Sequence, residues 1–221
     1  MLYEIDNSYL QKGIAVKNGG LCHQIERLTP SLLDGETRNS LIRRLTPLTG
    51  MGFMRDDIYA DELYRDVEEH VLGAERLVLA ILGGEINAFI AAALRTLSTG
   101  EVVYHLEGII CHPDYMNTGL AKKMLVDDLS LTHPHLVAFH TQSESMKRLG
   151  LKVADLNEQD ALRVASLIGT RNQDGIIDRG RYGGKCLYGD VERFGPTAIQ
   201  GINYLAGDAL ICAGPVRKDL M

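Results

Sequence analysis

The chain has no Cys-x-x-Cys pair, no long apolar run, no excess of basic charge and no low-complexity tract or internal repeat. Each absence removes a class of function. The four cysteines, Cys22, Cys111, Cys186 and Cys212, are scattered, and no secretory leader is recognisable. That usage fits a reduced, cytoplasmic setting better than a disulfide framework. A bilayer span takes about 20 consecutive apolar residues, so no membrane partner is expected. A net charge of −6 disfavours nucleic acid, which needs a basic face to displace counterions. The Arg- and Gly-rich segment Arg179–Lys185 is too short and too embedded to act as an RNA-binding tail. No Gly-x-Ser-x-Gly elbow or Walker loop is present. His133 and His135 flank Pro134 without a third ligand nearby in sequence, so no metal site is expected.

What is present is an apolar composition near half, enough for a real core over 221 residues. This length suits one large domain, 1–221, with extensions. Arg76–Leu82 and Ala88–Leu94 are apolar runs separated by Gly83, Gly84, Glu85 and Asn87, which predicts a hairpin. Val102–Cys111 is a third strand, with Ser98, Thr99 and Gly100 as its turn. Downstream, Leu136–Thr141 reads as a strand. A short helix over Ser143–Leu149 stops at Gly150, and Leu151–Ala154 reads as extended. Helices are expected over Leu32–Leu45 and Asp61–Leu72, with Pro47, Gly50 and Gly52 marking a loop between them. Asn157 and Asp160 open another helix, whose apolar face holds Ala161, Leu162, Val164, Ala165 and Ile168. Arg171–Gly189 reads as a long loop and Ala209–Ala213 as a last strand.

The most informative stretch is Cys111–Leu125. It joins the end of an apolar strand to an amphipathic helix carrying Leu120, Ala121, Met124, Leu125 and Leu129 at helical spacing. A helix start presents backbone N–H groups with no carbonyl partner inside the helix, and it carries partial positive charge. Such an end suits a phosphate or pyrophosphate. Lys122 and Lys123 in the first turn fit a bound anion, or they are ordinary solvated lysines. Gly119 has the alternative of a plain turn glycine.

The whole pattern resembles the cofactor-binding signature of the GNAT superfamily of acyl-CoA-dependent N-acyltransferases. Cys111 takes the Val-like strand-end position, and Pro113, Asp114 and Tyr115 follow in order. Gly119, Leu120 and Ala121 match the end of the phosphate loop, and Met124 and Leu125 match the helix core. Met116 stands where the family usually has Arg or Gln, and Asn117 where Gly is frequent. The resemblance covers about residues 60–155, flanked by an N-terminal helical extension (1–59) and a C-terminal extension (156–221). It implies an α/β (α+β) fold with a mixed, mostly antiparallel sheet, a splayed strand pair and helices on both faces.

The resemblance also implies a chemistry. Acetyl-CoA, or another acyl-CoA, would be the co-substrate. Its pyrophosphate would be held by Met116, Asn117, Thr118, Gly119, Leu120, Ala121 and Lys122, and weaker affinity is expected without the Arg. Backbone N–H groups of Ile109, Ile110 and Cys111 would receive the thioester oxygen, and Gln142 the pantetheine arm. Glu107, four residues before the strand end, is the leading candidate base. Burial there would raise its affinity for a proton; a solvated strand face is the alternative. His105 lies two residues earlier, on the same face by strand alternation. Met146 occupies the position where many members carry a Tyr acid, with Ser143, Ser145 or Tyr115 as substitutes. Cys111 as a nucleophile competes with its reading as a packed hydrophobe. Phe53, Arg55, Asp56, Asp57 and Tyr59 either line an acceptor pocket or form a solvated loop. The expected reaction is direct transfer to the amine of a small molecule, and a homodimer is an association carried by the resemblance alone. The alternative is a non-catalytic CoA-binding sensor or interaction module.

Overall fold

The computed structural model describes residues 11–12, 16–18, 21–169, 172–183, 186–187 and 198–220. Arg171, Gly184, Lys185 and Gly189, named above in loop readings, lie outside them. The chain divides into two compact units, one of Met1–Ala93 with Glu107–Asp128, the other of Leu94–Leu106 with Leu129–Met221. No described helix is long and apolar enough to cross a membrane.

In the first unit β1 (Gln11–Lys12) and β2 (Val16–Asn18) both pair with β3 (Leu21–Leu28). The order continues through β4 (Arg76–Leu82) to β5 (Glu85–Thr96) and β6 (Val102–Cys111). β3–β4 and β4–β5 are antiparallel, and Gly83 and Gly84 at positive φ make the β4–β5 turn. β3 was not expected from the sequence. Its alternation is regular, with His23, Ile25 and Arg27 buried and Cys22 and Gln24 exposed, but two of its three inward residues are polar.

Helix α1 runs over Gly35–Gly52. Asp34 caps it by accepting the Thr37 N–H at 2.8 Å, and that bond holds the Asp34 carboxyl below its ordinary range. Leu41, Ile42, Leu45 and Leu48 form its buried stripe, packed with Leu77, Leu79, Phe89, Ala91 and Ile110 of the sheet. A fully buried Leu or Phe of this kind contributes about 1.5–3 kcal/mol. The helix passes straight through Pro47, so the expected loop at Pro47, Gly50 and Gly52 is helical. Pro47 removes one intrahelical bond, and the buried stripe on either side carries the helix across it. Gly50 and Gly52 are there for close approach. A Cβ on Gly50 would lie 2.8 Å from Ile58 Cα, and one on Gly52 would lie 2.6 Å from Ile110 Cγ2. α2 (Asp61–Asp66) continues as a π-turn over Val67–Val71 rather than as α-helix to Leu72.

In the second unit the order is β5, β6, β7 (Leu136–Thr141), β10 (Ala209–Pro215), β9 (Ile177–Asp178) and β8 (Gln173–Asp174). β6 and β7 are parallel over Val103–Leu106 and Leu136–Phe139. β6 itself continues to Cys111 beyond that pairing. The result is a mixed α/β arrangement with mostly antiparallel pairing, as the sequence predicts. β6 and β7 have the expected bounds. α4 spans Glu144–Leu151, ending two residues later than expected, so Leu151 is helical. Ala154 makes only an isolated bridge to Val216. α5 (Glu158–Ile168) is capped by Asn157, which accepts the Asp160 N–H at 2.9 Å. Its Ala161, Val164, Ala165 and Ile168 pack on Val103, Leu136, Ala138, Ile211 and Ala213. The expected loop after Arg171 holds the β8–β9 hairpin.

Candidate functional site

The strand-to-helix connection follows from local chemistry. His112 ends β6, its N–H donating to the Asn87 carbonyl at 2.8 Å and its Nδ1 accepting from Asp114 N–H at 3.3 Å. Pro113–Tyr115 then makes one 3-10 turn, closed by Met116 N–H on the Pro113 carbonyl at 3.1 Å. Asn117 and Gly119 both adopt left-handed backbone, at φ 62° and 87°. Asn is one of the few side-chain-bearing residues that takes this conformation readily, so Asn117 holds its place in the turn without a glycine. Thr118 Oγ1 donates to the Tyr115 carbonyl at 2.6 Å and accepts the Leu120 N–H at 3.4 Å. Helix α3 begins at Leu120 and runs to Thr132.

This geometry leaves a concentrated donor set. Among the described residues, the N–H groups of Asn117, Gly119 and Lys122 meet no acceptor. Met116, Asn117, Thr118 and Gly119 are exposed, and Lys122 is half-buried at the first turn. Leu120, Met124, Leu125 and Leu129 are buried and seat the helix. The seat is reinforced by charge. Asp128, wholly buried, accepts from Arg27 Nε at 3.0 Å and from both Arg76 Nε and an Arg76 terminal nitrogen at 2.8 Å, while Arg27 also pairs with Asp127. α3 is thereby tied to β3 and β4.

The strand tail before the loop holds the remaining first-unit candidates. Ile110 is buried in the core with α1, whereas Ile109 and Cys111 are half-buried. Burial pushes the Cys111 thiol up to about 11, against an Ala121 N–H that works the other way. A thiol this reluctant to ionise is no nucleophile near neutral pH, and the packed-hydrophobe reading of Cys111 is the one the structure supports. Glu107 is exposed. The partial burial expected from the sequence is not found there.

Tyr115 stacks edge-on against His23, ring centroids 5.0 Å apart. His23 has no exposure, neither of its ring nitrogens has a partner among the described residues, and burial holds it below the usual imidazole range. In the loop after α1, Phe53 and Arg55 are half-buried and Asp56, Asp57 and Tyr59 exposed, with Met54 beside them at φ 54°.

In the second unit, His105 is buried and its ring lies 5.9 Å from that of His140 in a T-shaped arrangement. Gln142 is built into the fold: its Nε2 donates to the Asp208 carbonyl at 2.9 Å and its Oε1 accepts the Leu187 N–H at 2.9 Å. An amide engaged at both ends is not a free donor for a pantetheine arm. Ser143 caps α4, accepting the Met146 N–H at 3.4 Å, and Met146 is half-buried on a helix that contains no Tyr. Among the described residues no His, Cys, Asp and Glu group could hold a metal.

Sequence reading missed His23, His140 and Asp178. No local pattern sets these three apart; their burial marks them.

No family model matches the sequence, and no curated protein matches it. Solved structures do. An aminoglycoside 6'-acetyltransferase type Ii is 11% identical, with 86% of this chain and 96% of that chain covered at a TM-score of 0.46. The ribosomal-protein-S18-alanine N-acetyltransferase from Escherichia coli is 15% identical over 87% and 94% of the two chains, at 0.44. An acetyltransferase of the GNAT family from Streptococcus pneumoniae is 12% identical over 86% and 98%, at 0.43. The chain is similar to acetyltransferases across nearly their whole length, at a level that says nothing about its own acceptor.

Proposed function

We propose that this chain is an acyltransferase of the GNAT type, taking an acetyl or other short acyl group from acyl-CoA and passing it to the amine of a small molecule. The observation that carries this reading is the turn at Asn117–Ala121. Two left-handed residues, two positions apart, leave the N–H groups of Asn117, Gly119 and Lys122 without an acceptor among the described residues at a helix start, a donor set suited to a diphosphate. Lys122 adds a cation at the same end.

In this reading the acceptor nitrogen attacks the thioester carbonyl. A C–N bond forms, the carbonyl oxygen gains charge against backbone N–H groups of Ile109–Cys111, and the C–S bond then breaks to release the CoA thiolate. The ammonium proton leaves to a base, for which Glu107 and His105 are the candidates. The thiolate leaves without a Tyr on α4. A lost general acid costs about 10²–10⁴ in rate, so slow turnover is expected.

The absence of a Tyr from α4 also favours a second reading, a module that binds CoA and does not turn over. Calorimetry with CoA, followed by thiol release from acetyl-CoA over an amine panel, separates the two. Binding with turnover that falls in Glu107→Gln supports the enzyme. Binding without turnover on any amine supports the module. No heat with any CoA species overturns both.

A further inference from the structure

The C-terminal part of the chain contributes a buried carboxylate to a pair of histidines. His140, near the end of β7, is 5% exposed, and its Nε2 lies 3.0 Å from Oδ2 of Asp178 on β9, which is 0% exposed. The two groups meet at hydrogen-bonding distance without hydrogen-bond alignment. On the other side, the His140 ring meets His105 of β6 edge-on at 5.9 Å. The sheet register puts these groups together: His140 is opposite Ile211 of β10, and Asp178 is opposite Ala209 of the same strand.

We propose that Asp178 and His140 are positioning residues for His105, the carboxylate fixing one tautomer of His140 and the His140 ring fixing the place and charge environment of His105. Burial, with the Arg181 guanidinium and the His105 ring adding to it, holds His140 well below the usual imidazole range, at about 3. The ring is therefore neutral. A bare ring nitrogen against a carboxylate oxygen would be repulsive, so the single proton of His140 sits on Nε2, facing Asp178. Nδ1 is left as the acceptor. The groups facing the pair are Asp178 from β9, Arg181 just after it, and each histidine for the other. This is the base–orienter logic of catalytic histidines, with the orienting carboxylate one ring further away. The proposal rests on the acyltransferase reading for its use of His105, but its geometry does not.

The test uses the full chain labelled with ¹⁵N-histidine. Two-bond ¹H–¹⁵N spectra between pH 4 and 9 follow each ring nitrogen in the parent, Asp178→Asn and His140→Gln. The expected result is a neutral, Nε2-protonated His140 across that range. In Asp178→Asn, His140 shows mixed tautomers, and the His105 proton affinity falls about three- to tenfold as a nearby negative charge is removed. In His140→Gln, which keeps a donor of similar reach, the His105 shift is smaller. Circular dichroism checks that each variant folds. A His140 already mixed in the parent, or a His105 titration unmoved in both folded variants, overturns the proposal. If acyl transfer is found, the acid limb of kcat/KM must move with the His105 midpoint. Spectra that respond while no amine is acylated would remove the reaction and leave the positioning intact. Turnover with unmoved spectra would do the reverse.

Discussion

The two units organise charge in opposite ways. In the first, Arg27 and Arg76 converge on an Asp128 with no exposure, and Arg27 itself is 5% exposed. In the second, Arg179 bridges Asp208 at 2.6 Å and Asp174 at 2.7 Å with its own side chain 39% exposed, and Arg163 joins Glu101 and Asp160 on the surface side of α5. Asp160 and Asp208 are the buried members there, and Asp208 also accepts the N–H groups of Gly180 and Asn203 at 3.0 Å each. A charge sealed from water depends wholly on its partners, whereas an exposed one falls back on solvent. The first network therefore acts as a rigid backing for helix α3, and the second as adjustable tethering for the C-terminal loops.

That contrast is open to direct attack. Asp128→Ala strands two arginines, one of them almost wholly buried, and should cost about 3–5 kcal/mol, read as a drop in the urea midpoint at constant m. Should the loss be under about 1 kcal/mol, the network is not a backing at all. Next in size is acid. His140 is pushed down to about 3 from an ordinary 6.5, so the unfolded chain binds more protons as pH falls. Stability is full above about pH 6.5 and declines below it. At pH 5 this one group removes about 2 kcal/mol. His23 is lowered in the same sense. Urea midpoints between pH 7 and 5 should fall, and the fall should shrink in His140→Gln.

Gly119→Ala comes third. No atom lies near its missing side chain, but φ is 87°, and an L-residue held there costs about 1–2 kcal/mol. The penalty should appear as roughly tenfold weaker CoA binding by calorimetry, with little change in the urea midpoint. A midpoint that falls while binding holds would make the turn structural. The smallest effect is expected from Arg179→Ala, a melting-temperature decrease well short of that in Asp128→Ala. An equal decrease would erase the distinction between the two networks.

The parts of the fold that were legible are those where burial is apolar. β6 and β7 stand at their expected bounds because Val102–Cys111 and Leu136–Thr141 are mostly apolar runs flanked by turn residues. β3 hid because its inward side chains include His23 and Arg27, whose burial is explained only by Tyr115 and by an aspartate 101 positions away. The α1 boundary failed because Pro47, Gly50 and Gly52 read locally as a break, while tertiary packing on Ile58 and Ile110 is what demands glycine. At the site, the turn was readable from Gly119 and its neighbours. The exposure of Glu107, the internal use of Gln142 and the Asp178–His140 contact depend on partners far along the chain, which local pattern cannot reveal.

The 2.6 Å limit between a Gly52 side chain and Ile110 has a practical side for anyone re-engineering the chain. The loop over 53–60 is a natural place to graft new recognition segments, since half of its residues are exposed and none is fully buried. Any graft must keep hydrogen alone at positions 50 and 52, however freely the tip is rewritten. A methyl group at 52 would push against Ile110, next to the strand end from which the Asn117 turn departs, so a change made for one partner would be felt by the other.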